Sequence, residues 1–103
     1  MTRVTYDESE YTMEISGHAG AGAPGADLVC AALTILMRTL EASAKDEAAG
    51  MQPTLLHRDG YVRVQCRPGK KHTARCREMM RTIFRGYELM AAQFPENVQA
   101  YRI

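Results

Sequence analysis

The chain has no long apolar run. Its most hydrophobic stretch, Leu28 to Met37, is about half of the roughly 20 residues that a membrane-spanning helix needs. It also opens directly into a strand-like segment, without the charged and then apolar leader of a secretory signal, so a cytoplasmic location without membrane contact is expected. Neither sign of charge dominates: 13 Lys and Arg face 12 Asp and Glu, the net charge is +1, and nothing global draws the chain to nucleic acid or an anionic surface. Cysteines are few and odd in number, at positions 30, 66 and 76, and lack the paired spacing of a zinc site. Free thiols in a reducing compartment are expected, not a disulfide framework. The glycine-rich segment has no Gly-Lys-Ser or Gly-Lys-Thr, which excludes a Walker-type phosphate loop, although an anion at a helix start is still physically allowed. At 103 residues there is room for one core and one domain, residues 1–103.

Periodicity supplies the elements. Arg3–Tyr6 and Tyr11–Ser16 alternate as strands, with Tyr11, Met13 and Ile15 sharing one face. A helix is expected from about Asp27 to about Ala48, ended by Gly50 and Pro53. Thr54–Arg58 and Tyr61–Arg67 form a hairpin, Asp59-Gly60 supplying the positive torsions of a two-residue turn. A second helix, about Lys71 to Phe94, carries Cys76, Met79, Met80, Ile83, Tyr87, Met90, Ala91 and Phe94 at helical spacing, and Val98–Ile103 returns as a last strand. The order ββαββαβ, with half-polar strands, predicts an α+β two-layer sandwich: an antiparallel-rich sheet with two helices on one face.

The chemistry concentrates between Gly17 and Cys30, where His18 and Cys30 bracket a loop rich in glycine and alanine that runs into the first helix. A thiol at a helix start with an imidazole on a neighbouring loop is the minimum equipment for nucleophilic catalysis. On a helical wheel Leu28, Val29, Ala32, Leu33, Ile35, Leu36 and Leu40 share one arc, while Asp27, Cys30, Thr34, Arg38 and Glu41 share the other. A cysteine that served only as packing would sit in the apolar arc, and Cys30 does not. With Asp27 as N-cap, Cys30 faces unpaired backbone N–H groups and the positive end of the helix dipole, which stabilise negative charge on sulfur. Asp27 has two possible parts, capping the helix or orienting His18, and as a bare charge it would oppose that stabilisation. Cys66 continues a strand alternation and Cys76 lies in an apolar stripe, so both are expected to be inert packing. Neither His57, beside a hairpin turn, nor His72 has a catalytic context. Gly17, Ala19, Gly20, Gly22 and Gly25 make a loop too small-sided to pack itself rigid, and a flexible substrate flap is the expectation.

Gly-His-Ala, then glycines, then Asp-Leu-Val-Cys-Ala-Ala, with His18 and Cys30 twelve positions apart, resembles the signature of the bacterial ribosomal-processing cysteine protease (Prp) family. The family often carries a serine four residues after the cysteine and an aromatic residue in the loop. Here stand Thr34, which keeps the hydroxyl, and an alanine-rich loop. The resemblance implies that His18 and Cys30 form the catalytic pair, that no metal or organic cofactor takes part, and that the protein is a homodimer. Its implied partner is the N-terminal extension of a large-subunit ribosomal protein precursor, which it would remove.

The second helix also carries Lys70, Lys71, Arg75, Arg77, Arg81 and Arg85. A solvated amphipathic face explains them, and no aromatic platform for RNA accompanies them, so direct nucleic-acid binding is not expected. A non-enzymatic, ribosome-associated binding module using this basic helix is the rival reading.

Overall fold

The computed structural model describes residues 1–18, 20 and 27–103. Strands β1 (Thr2–Asp7) and β2 (Thr12–Ser16) pair antiparallel through a turn in which Asp7 Oδ1 accepts from the backbone N–H groups of Ser9 and Glu10. Helix α1 (Leu28–Asp46), a short α2 (Ala48–Met51), the hairpin β3 (Thr54–Arg58) and β4 (Tyr61–Gln65), helix α3 (Thr73–Gln93) and β5 (Val98–Arg102) follow. The five strands are ordered β3-β4-β2-β1-β5, antiparallel except that β5 runs parallel to β1. The fold is the expected α+β two-layer sandwich, with α1 and α3 packed against each other over one sheet face.

Alternation along the strands decides which face is covered. Val4 and Tyr6 of β1, Met13 of β2, Val64 of β4 and Val98 of β5 are buried, and they meet Leu33, Met37 and Leu40 of α1 and Met80, Phe84 and Tyr87 of α3. Burying a side chain of this size contributes about 1.5–3 kcal/mol. The Tyr87 hydroxyl donates to the Leu33 carbonyl oxygen at 2.8 Å, fastening α3 to α1 one turn beyond Cys30. Burial, ahead of the nearby Glu8 carboxylate, pushes the Tyr6 hydroxyl up to about 12.

The structure corrects four expectations in detail. The first helix ends at Asp46, because Glu47 leaves helical torsions and α2 restarts one residue later. That offset turns Met51 fully into the core, and Gln52 in the left-handed region (φ 47°), not Gly50, closes the segment. Only Gly60 of the hairpin pair takes a positive φ (69°), so Asp59 does not share the torsion assigned to it. Leu28 and Ile35, placed in the apolar arc of α1, are 82% and 61% exposed, because the arc is broader than the strip that α1 presents to sheet and α3. The second helix begins with a 3₁₀ turn, Lys70–His72, and Phe84 joins its buried stripe.

Candidate active site

Two strand ends and one helix start make the site. Asp27 has extended torsions, and its Oδ1 accepts the Cys30 backbone N–H at 2.9 Å while its carbonyl oxygen accepts from Ala31. Asp27 is therefore the helix cap, and of its two possible parts it takes this one. Thr34 lies one turn on, where its hydroxyl donates to the Cys30 carbonyl oxygen at 2.9 Å, so it braces the backbone beneath the thiol. The Cys30 side chain is partly exposed on the polar face of α1, as the wheel requires.

His18 arrives from the other layer. Gly17 follows the end of β2 with φ 88°, and its N–H donates to the Gly60 carbonyl oxygen at 2.8 Å, tying the loop to the β3–β4 turn. The Met1 ammonium donates to the His18 carbonyl oxygen at 2.7 Å. The imidazole rests against Gly60, where a Cβ would lie 3.4 Å from Nε2. His18 and Cys30 both line one cleft of about 220 Å³ between α1 and the hairpin, without a hydrogen bond joining them. Of the loop residues, Gly17 and Gly20 are described and both have positive φ, while Ala19, Gly22 and Gly25 lie outside the described residues.

The other thiols sit elsewhere. Cys66 and Cys76 are 1% and 0% exposed and touch each other in the core; the contact with Cys66, then burial, pushes the Cys76 thiol up. A brief iodoacetamide treatment of the folded protein is expected to alkylate Cys30 within minutes and to leave Cys66 and Cys76 unmodified, as peptide mass mapping checks. Preferential labelling of either buried thiol would contradict this placement.

Sequence reasoning missed two residues of the cleft. His57, set aside as a turn histidine, lines it, with Nε2 3.1 Å from Glu41 Oε1 across the gap between β3 and α1. The available signal was that Glu41 shares the polar arc of Cys30. The arginines of α3 are paired with carboxylates within the chain, three arginines in all sharing Glu8, while Lys70 and Lys71 form no ion pair among the described residues. Arg75 meets Glu47, Arg77 and Arg81 meet Glu8, and Arg85 meets Glu88, with Arg102 of β5 completing the Glu8 cluster. Hydrogen bonds from Arg81 and Arg102 outweigh burial and hold the Glu8 carboxyl below its ordinary range. Among the described residues no three His, Cys, Asp or Glu side chains gather as metal ligands, and no helix is long and apolar enough to cross a membrane.

A partly exposed thiol at a capped helix start, with an imidazole lining the same cleft, is compatible with a cysteine protease. The sequence profile of the family described as cysteine protease Prp matches residues 1–99, and the chain belongs to that family. Among solved structures it is similar to the essential ribosomal processing protease Prp of S. aureus. In complex with a covalently linked product peptide, that protein shows a TM-score of 0.83 at 17% identity, covering 100% of both chains. The same S. aureus protease with a substrate peptide gives 0.76 at 16% identity, again covering 100% of both. SMU.848 from Streptococcus mutans gives 0.70 at 22% identity over 99% of this chain and 91% of the other. No curated protein sequence matches the chain at a significant level.

Proposed function

We propose that the protein removes a short N-terminal extension from a bacterial large-subunit ribosomal protein in the cytoplasm, with Cys30 as nucleophile and His18 as general base. The meeting of these two residues in one cleft from opposite layers carries the reading. The similar S. aureus enzyme is a ribosomal processing protease, which supports the substrate class. His18 takes the proton of the Cys30 thiol, and the sulfur attacks the scissile carbonyl carbon. The imidazolium then protonates the departing amine, and water hydrolyses the thioester. The Cys30 N–H is engaged by Asp27, so it does not serve the oxyanion. The backbone N–H groups of Leu28 and Val29 have no acceptor among the described residues, and they are the donors the helix start offers for that charge. The internal pairing of the α3 arginines weakens the binding-module reading.

Incubation of the extended ribosomal-protein precursor of the same organism with the protein tests the reading. One cut near the precursor's N-terminus is expected by intact mass, surviving a chelator but not a thiol blocker. An uncut precursor would overturn it.

The protein is further proposed to act as a homodimer. The support is the outward-facing Leu28 and Ile35 on α1 and Leu89, 57% exposed, on α3. Sedimentation at micromolar concentration is expected to give twice the 11.5 kDa chain mass, and a single species at 11.5 kDa would remove the proposal.

A further inference from the structure

The cleft continues past the reacting pair. Cys30, Thr34, Arg38 and Glu41 follow one another along one side of α1, and all border it. Eleven positions at about 1.5 Å each put Glu41 roughly 16 Å from Cys30, the reach of about five residues of extended peptide.

Glu41 is the anomaly of this wall. Its side chain is 12% exposed, and Oε1 is buried without a hydrogen bond. Burying a carboxylate is costly unless a counter-charge and hydrogen bonds offset it. Among the described residues the one basic group in contact is His57, whose Nε2 lies 3.1 Å from Oε1 without hydrogen-bond alignment, and whose own side chain is 53% exposed. The neighbouring Tyr87 hydroxyl does not serve the carboxylate, since it is committed to the Leu33 carbonyl oxygen. Other cations do not fill the place. The Arg58 guanidinium stands 5.5 Å over the Tyr61 ring, and Arg38 is an exposed rim residue nearer Cys30 that forms no ion pair with Glu41.

We propose that Glu41 is a specificity subsite that receives a lysine or arginine side chain of the peptide, four to six residues from the scissile bond. His57 holds the place of that cation until the peptide displaces its ring. Arg38 sharpens the choice, because it repels a cation that stops short of Glu41. The proposal rests on the protease reading.

Digestion of a proteome-derived peptide library, with cut sites aligned by mass spectrometry, reads the subsite. Lysine and arginine are expected to be enriched about threefold or more at one position within that window, the size an incompletely screened ion pair gives. The enrichment is expected to vanish in Glu41→Gln and to grow in His57→Ala, which keeps the carboxylate and removes its internal partner. No enrichment in the window, or equal enrichment in Glu41→Gln, overturns the subsite. If Glu41→Gln fails to fold, His57→Ala decides alone, and enrichment that does not rise overturns it. If wild type cuts no peptide, the protease reading fails, and capture of the same library on the Cys30→Ala protein judges the subsite separately. Retention of basic peptides that disappears in Cys30→Ala with Glu41→Gln supports it, and equal retention by both proteins rejects it.

Discussion

Cys30→Ala is expected to leave an extended ribosomal-protein precursor uncut, with a rate loss of roughly 10⁴–10⁶-fold, because it deletes the covalent step that the reaction is built on. The fold should not notice. Cys30 lies outside the buried cluster, and its backbone N–H keeps the Asp27 cap whatever the side chain. The variant should therefore melt with wild type and still bind the precursor. His18→Ala should cost about 10²–10⁴-fold, the worth of a positioned general base, and the helix start leaves a trace of attack by sulfur. Intact mass of the precursor after incubation with each protein checks both. If Cys30→Ala cuts as well as wild type, another residue is the nucleophile and the cleft has been misassigned.

Gly17→Ala is expected to be the most damaging change of comparable size outside the reacting pair. Gly17 has φ 88°, which costs a residue with a Cβ about 1–2 kcal/mol, and that Cβ would also collide with the Met1 carbonyl oxygen, an overpacking term of about 1–3 kcal/mol. A loss of about 2–5 kcal/mol lowers the melting temperature of a domain this size by roughly 8–40 °C. Gly17 also precedes His18 and hydrogen-bonds the hairpin turn, so relief of the clash moves the imidazole. A displacement of about 1 Å is enough to cost on the order of 10²-fold in rate. Gly20→Ala is the control: φ there is 67°, but among the described residues nothing lies within 4 Å, so the torsional term is the one expected. Equal melting temperatures for Gly17→Ala and Gly20→Ala would show that the contact with Met1 carries no weight.

Much of the architecture was legible because local rules and tertiary demands agree. Asp59-Gly60 between two alternating runs located the hairpin, and Asp27 before an apolar period located the start of α1. The wheel separated Cys30 from the core because a helix end leaves its polar face to solvent whatever packs on the other side. It failed at Leu28 and Ile35, since hydrophobicity marks what can be buried and not how wide a strip a neighbour covers. His57 was illegible for a related reason. Nothing local to β3 distinguishes a histidine facing α1 from one facing water.

The sequence by itself determined most of the elements, the α+β order and the burial of two cysteines, and it singled out His18 and Cys30 as the candidate pair, because each is encoded in spacing along one segment. Tertiary structure alone decided that β5 lies parallel beside β1, that the Gly60 turn carries His18, and that Glu41 faces His57 across the cleft. These join residues far apart in the chain, and their contacts exist only once the two layers have closed and the shared core has fixed the register between them.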